Sequence, residues 1–456
     1  MAWVLRLVET GIDGPARVID VQDIRPLGGL GEIAELGLTL AEAKQILAHL
    51  QQAVVAVQAD DHAVLRPDCS FCGQTCHVKD CRLHRVATLF GTVAVRLPRF
   101  RCAGCGHGET GIGWPPYCRS TPELDQLRAH ASALMPHRVA AGLLEHLLPV
   151  GAGMIPETLR GHTLKAGAQL RDAAAVKPLA AVPAITVTVD STFIRGCHDG
   201  ERHLEVRVGN VETSGGGRQV FGAVVNSETE IAVMIRRSLE TVGRAADTEL
   251  TAFTDGAPGF RSILSEAGCK KPPIADWFHI AMRLQHAKQA ASGLSADTPG
   301  RMQAKAAIVP EVERLHWRIW NGKAKNARRT LERVRKVMHV FQGERSHRTL
   351  AVPSSRKLWR ALREVDTYLR GQSKRLVNYA KRYRAGLRVG TSVTEGTANF
   401  LVNRRMNKAQ QMRWSRRGAD LLLQVRCAVY NGAFGHGFGK LFEPTSNTVQ
   451  QSPLAA

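Results

Sequence analysis

Ile185-Thr186-Val187-Thr188-Val189-Asp190 alternates apolar and polar side chains and then presents a carboxylate. That period puts Ile185, Val187 and Val189 on one face, as a half-buried β-strand requires. Leu204, Val206 and Val208 repeat the pattern, and Val220 to Val225 make a third strand. A helical stretch from Thr229 to Val242 follows, then a strand from Leu250 to Thr254 ending at Asp255. A helix from Pro258 and a short strand leading into Asp276 complete the series. Three strands, helix, strand, helix, strand predict a mixed sheet, because doubly wound folds interleave a helix after every strand.

The surroundings of this core are basic. The 456 residues carry 62 Lys and Arg against 40 Asp and Glu, a formal net charge of +22. No low-complexity arm concentrates that charge, so a folded basic surface and a polyanionic partner are expected, nucleic acid first among them. Charge alone does not exclude a ribosome-associated or generic basic protein. The apolar content of 44% belongs to a globular chain of two to four domains rather than a disordered one. Met1-Ala2-Trp3-Val4-Leu5-Arg6 lacks a signal-peptide pattern, and no run of 18 apolar residues occurs. The expectation is a cytoplasmic, nucleoid-associated protein with no membrane partner.

Residues 1–66 read as a small packing unit of strand-like runs and one helix, entered through the capping-box spacing of Thr39-Leu40-Ala41-Glu42. Seven of ten cysteines then crowd between Cys69 and Cys118. Cys69-Ser-Phe-Cys72-Gly and Cys102-Ala-Gly-Cys105-Gly bracket a strand-rich stretch, Arg85 to Leu97. Two such knuckles place four thiolates around one Zn2+, and the glycine after each lets backbone amides turn toward the sulfurs. Residues 67–118 are therefore expected to form a zinc ribbon. Cys76, Cys81, His77, His84 and His107 lie near enough to compete as ligands, and a redox dithiol is the rival reading. Residues 119–180 turn helical, with Leu124, Leu127, Ala131 and Leu134 on one face. Beyond a break at Gly151-Ala-Gly153, Pro156 occupies a first helical position, as in a helix-turn-helix or an ordinary helical hairpin.

Residues 283–390 read as helical and strongly basic. From 321 to 390 there are 20 Lys and Arg against 4 Asp and Glu, with Trp359 inside and Trp317 and Trp320 just before. A charge run is ordinarily a solvated face, yet this imbalance repels itself unless counterions are supplied, and phosphate backbone supplies them. Residues 391–435 are helical again, and 436–456 read as a disordered tail.

Asp190 and Asp255 stand at the ends of strands that such a sheet places side by side, where carboxylates can hold divalent metal. Each has a bland alternative: Asp255-Gly256-Ala257-Pro258 makes a good turn, and Asp190-Ser191 can cap a strand. The strand and helix order matches an RNase H-like sheet, so the pair is expected to be a metal site. These stretches together resemble bacterial insertion-sequence transposases of the DDE class, the ISKra group, related to the Mutator-like transposases. The resemblance is carried by Leu38 to Lys44, the first knuckle, Thr88-Leu-Phe-Gly-Thr-Val93, Pro98-Arg-Phe100, Val189-Asp190-Ser191-Thr192, Thr254-Asp255-Gly256-Ala257, Asp276-Trp277-Phe278-His279, and Glu395 through Ser415.

The resemblance implies an α+β multidomain protein: an RNase H-like catalytic core (181–282 and 391–435), a basic helical insertion (283–390) and the N-terminal zinc ribbon. By position it assigns two catalytic Mg2+ or Mn2+ ions to Asp190, Asp255 and Glu395, with Asp276 and His279 as accessory residues. It implies metal-dependent cleavage of double-stranded DNA at element ends, then attack of a 3′-hydroxyl on target DNA, carried out by a homo-oligomer. Ser392-Val393-Thr394-Glu395 also has capping-box spacing, so Glu395 has a purely structural alternative. Arg404, Arg405, Lys408, Arg413, Trp414 and Arg416 follow without an acid between 396 and 419 and are expected to contact DNA. Rival readings are an RNase H-like nuclease and a catalytically silent DNA-binding regulator.

Overall fold

The computed structural model describes residues 3–8, 17–24, 31, 33, 36–110, 114, 119–149, 155–172, 180–198, 200–224, 228–256, 259–341, 353–372, 375–407 and 412–432. They fall into two compact units, one of residues 1–173 with 428–456 and one of residues 174–427. The expected tail, Lys408, Ala257, Pro258 and the Gly151–Gly153 break lie outside the described residues.

In the first unit, β1 (Trp3–Val8) and β2 (Val18–Ile24) form an antiparallel ribbon ahead of helix α1 (Leu40–Val64). The Thr39 capping box closes as its spacing predicts: the hydroxyl accepts from the Glu42 amide, and the Glu42 carboxylate accepts from the Thr39 amide at 2.8 Å. Long strands β3 (Cys76–Thr88) and β4 (Gly91–Cys102) pair as a hairpin, extended by the short β5 (Gly108–Glu109). Helices α2 (Pro122–Leu134), α3 (His137–Leu147) and α4 (Pro156–Asp172) bury Leu124, Ala131, Ala140, Leu144 and Leu159 together. Pro156 does open α4, but Leu127 and Leu134, expected beside Leu124, are 36% and 47% exposed.

The second unit begins with β6 (Ala184–Arg195), β7 (His203–Thr213) and β8 (Arg218–Val224), joined antiparallel. Helix α5 (Glu228–Thr241), β9 (Glu249–Thr254), α6 (Phe260–Glu266) and β10 (Ile274–Ala275) follow. The sheet order is β10-β9-β6-β7-β8, with β9 parallel to both β6 and β10. Ile185, Val187, Val189 and Val211 pack against Ile231, Ile235, Leu239 and Ile263 of α5 and α6. Each such fully buried side chain contributes roughly 1.5–3 kcal/mol. Two expectations are corrected here. Asp190 lies inside β6 rather than at its end, because pairing with β7 continues to Arg195↔His203. The helix after Asp255 starts at Phe260, behind a left-handed Gly259.

Helices α7 (Trp277–Ser292), α8 (Pro299–Trp320), α9 (Ala324–Val337), α10 (Ser354–Gly371) and α11 (Tyr379–Arg384) fill the stretch expected to be a helical insertion. They share a core that includes Leu284, Ile308, Leu315, Leu331, Leu358 and Leu362. Helix α12 (Ser392–Ala398) runs into a π-helix, Asn399–Asn407, and α13 (Arg416–Tyr430) follows. Leu401, Val402, Leu422 and Leu423 cover the second face of the sheet over Leu204, Val206 and Val208. With both faces covered, β7 is buried along most of its length.

Candidate active site and metal centre

The register of the sheet brings the first two carboxylates together. Val189 pairs with Thr254 across parallel strands, so Asp190 and Asp255 are the next residues on neighbouring chains. Gly256 has φ 90° and its amide donates to Thr254 Oγ1 at 2.8 Å, turning the chain sharply after Asp255. Gln372, just beyond α10, donates to the Gly256 carbonyl at 3.2 Å, so the helical region braces this loop.

Glu395 comes from α12, whose rotation is set by three threonines spaced three apart. Thr394 Oγ1 donates to Thr188 Oγ1 of β6, and Thr397 Oγ1 donates to Asn210 Oδ1 of β7 at 2.7 Å; both threonines are fully buried. Thr391, the helix cap, directs its hydroxyl to Asp276 and makes no side-chain bond to its own helix. Glu395 is the fourth residue of α12, not the third position of a capping box, and its side chain is exposed. Asp190, Asp255 and Glu395 line one cleft of about 560 Å³ with Ser191, Thr192, His279, Asn399 and Asn403.

Asp276 is fully buried behind this cleft. Its Oδ1 accepts from the Phe278 amide at 2.9 Å and the Thr391 amide at 2.8 Å; its Oδ2 accepts from Thr391 Oγ1 and from His279 Nδ1 at 2.7 Å. Burial raises this carboxyl, but the hydrogen bonds from His279, Thr391 and Phe278 outweigh burial and hold it below the usual carboxylate range. With Nδ1 committed to Asp276, His279 keeps Nε2 for the cleft. The hydrogen bond to Asp276 raises the His279 pKa, with Asp190 and Asp255 adding to the rise. Asp276 therefore acts as a tie between His279 and the entry to α12, while both of its oxygens are spent on protein donors.

Burial pushes the Asp190 carboxyl up to about 6, and the Asp255 charge reinforces it. The His279 charge offsets only part of this rise, and hard divalent cations suit an all-oxygen donor set of this kind. The carboxylate oxygens do not all lie within 4.8 Å of one another, unlike the thiols described next.

Cys69, Cys72, Cys102 and Cys105 have sulfurs all within 4.8 Å, with Cys69–Cys105 at 3.5 Å and Cys72–Cys102 at 3.4 Å. Thiolates about 2.3 Å from one ion give sulfur spacings close to these, so the four can hold a structural metal such as zinc. The knuckles are near copies: Gly73 and Gly106 both have φ 72°, and their amides donate to the Cys69 and Cys102 carbonyls at 2.9 and 3.1 Å. The Cys105 backbone amide, with the Cys102 surroundings, lowers the Cys102 thiol to about 6. Cys76 pairs in register with Cys102 but is buried in the small core with Phe100, and the four-sulfur group does not include Cys76, Cys81 or any histidine.

The residues expected to contact DNA divide. Arg404 and Arg413 are exposed, whereas Arg416 pairs with Glu201 at 2.8 Å. Trp414 and Arg405 are corrections: the indole is 8% exposed, donates Nε1–H to the Met406 carbonyl at 3.0 Å, and carries the buried Arg405 guanidinium over its ring. Trp414 bonds the β6 extension through its own backbone, so its ring is core and not a stacking surface. Thr394, Thr397, Thr391 and Arg426 were not singled out from sequence, although the Thr391, Thr394, Thr397 spacing marks one polar helix face. No helix among the described residues is long and apolar enough to cross a membrane. A scan against models of known protein families finds no match, and neither does a search of characterised proteins.

Proposed function

We propose that the chain is a DNA transposase with an RNase H-like catalytic core, cutting and joining strands at a carboxylate triad of Asp190, Asp255 and Glu395. The observation that carries this is their convergence: residues 65 and 205 positions downstream of Asp190 line the same cleft with it, from two adjacent parallel strands and a late helix. The sheet order supports the reading, since the three antiparallel strands and the two parallel ones meet at the strand that carries Asp190.

The three carboxylates are the residues that would hold Mg2+ or Mn2+, Asp190 and Asp255 following paired residues of adjacent strands. Such ions supply a nucleophile at neutral pH and offset charge on the leaving oxygen. The protein's own contribution is placement: Thr394 and Thr397 aim Glu395, and Gln372 braces the loop after Asp255. Asp276 holds His279 Nδ1 and raises its pKa, which favours the form that offers Nε2–H to a phosphate oxygen. The four-cysteine hairpin reads as a zinc ribbon, and the basic helices as a surface for the DNA backbone. The reaction is hydrolysis at an element end, followed by attack of the freed 3′-hydroxyl on a target phosphodiester.

Purified protein, incubated with Mg2+ or Mn2+ and duplex carrying the sequences that flank its gene, should nick at the element end and join that end to target DNA. Nicking without joining would make it a nuclease, and DNA binding without nicking would make it a regulator.

A further inference from the structure

Asn403 lines the carboxylate cleft from the π-helix, eight residues beyond Glu395. An α-helix overshoots a full turn in four residues and the wider π-helix falls short of one, so the change of helix type at Asn399 keeps Glu395 and Asn403 on one face. The widened segment is held by Arg426, which is buried and donates Nε–H and Nη2–H to the Leu401 and Phe400 carbonyls.

The amide of Asn403 has a defined orientation. The Phe193 carbonyl can only accept, so Asn407, 3.2 Å away, must present Nδ2 to it. Asn407 Nδ2 also lies 3.5 Å from Asn403 Oδ1, which receives Thr192 Oγ1 at 3.5 Å as well. Asn403 therefore turns its oxygen toward β6, and its Nδ2 has no partner among the described residues. The result is a neutral donor beside three acids. A lysine or arginine there would pair with the carboxylates and displace a metal; an amide leaves them free and still donates to an anionic oxygen.

We infer that Asn403 is a substrate-positioning residue: its Nδ2 donates to a non-bridging oxygen of the phosphodiester held at the carboxylates, with Asn407 and Thr192 setting its orientation. The inference rests on the phosphoryl-transfer reading of the cleft and names a contact within it.

The test is single-turnover cleavage by the full chain with Mn2+, on end-containing duplexes bearing oxygen or either phosphorothioate diastereomer at the scissile phosphate. Wild type is expected to discriminate between the diastereomers. Asn403→Ala should cleave the all-oxygen substrate about 10- to 100-fold more slowly, the range for one hydrogen bond to a charged oxygen, and should lose part of that discrimination. Asn403→Asp, which keeps the oxygen facing Asn407 and Thr192 and so keeps the local fold, should lose at least as much. A purely structural role would slow all three substrates equally. Unchanged discrimination in both variants, or wild-type rates in either, overturns the inference. No cleavage of any substrate by wild type overturns the phosphoryl-transfer reading itself and the inference with it.

Discussion

Replacing Asp276 with asparagine separates its charge from its shape. Asparagine keeps Oδ1 for the Phe278 and Thr391 amides, 2.9 and 2.8 Å away, but faces Thr391 Oγ1 and His279 Nδ1 with an NH2 group. The hydroxyl can rotate to accept, and the imidazole must move its proton to Nε2. Each of the four bonds to a charged acceptor is worth about 1.5–3 kcal/mol against about 1 for a neutral one. The summed weakening of several kcal/mol is partly offset because a buried charge is no longer desolvated, which leaves a net cost of about 2–3 kcal/mol. Alanine leaves all four donors without an acceptor and should cost more, above about 4 kcal/mol. Trp277, adjacent in sequence and 4.6 Å from Trp320 between ring centroids, gives a local fluorescence probe for urea unfolding. The pH dependence follows from the two shifts. The His279 pKa is raised in the folded state, so its contribution is complete below the unfolded value of about 6.5 and fades as pH rises through the folded value. The Asp276 pKa is lowered, so its contribution is present above about 3.9 and fades as pH falls through the folded value. With a chelator present throughout, the gap between wild type and Asp276→Asn should be widest near pH 5–6 and narrower at pH 9, as those shifts require. An equal gap at both pH values, or none, refutes the account of Asp276 as a charged tie.

A Cβ at Gly390 would lie 2.6 Å from Asp276 Oδ1 and 3.3 Å from the Phe278 amide, so Gly390→Ala should lower cleavage through the same network while leaving the zinc content unchanged. Metal analysis of reduced protein should find about one zinc per chain; Cys102→Ser should abolish it and unfold the hairpin, and Cys76→Ser should retain it. Arg328 and Arg329 are exposed on α9, and changing both to glutamine should flatten the slope of log affinity against log salt by about 2 on any DNA sequence. An unchanged slope would mean that this face only meets solvent.

The alternation of Ile185, Val187 and Val189 and its repeats made the five strands legible, and Asp190 and Asp255 could be paired from strand order alone. Strand length was less legible, because the continuation of β6 past Asp190 depends on pairing with β7. Burial misled most around the π-helix. Dense arginine beside Trp414 reads locally as a DNA surface, but a backbone bond to Arg195 and the Met406 carbonyl draw the indole inward, and Arg405 follows it. The Thr391, Thr394 and Thr397 contacts depend on partners between 115 and 206 residues away, which no local pattern records. The cysteine knuckles were legible because their geometry is local: two cysteines, a tight turn and a glycine.

Glu395 offers the most direct test of the triad. Its position in α12 removes the capping explanation, so Glu395→Gln should preserve folding and DNA-end binding while deleting one charge from the cleft. Single-turnover cleavage of an end-containing duplex, with wild type and Glu395→Gln at matched DNA occupancy, should differ by at least about 100-fold. Comparable rates would contradict the assignment of Glu395 as the third carboxylate and, with it, the reading of this cleft as the place where strands are cut.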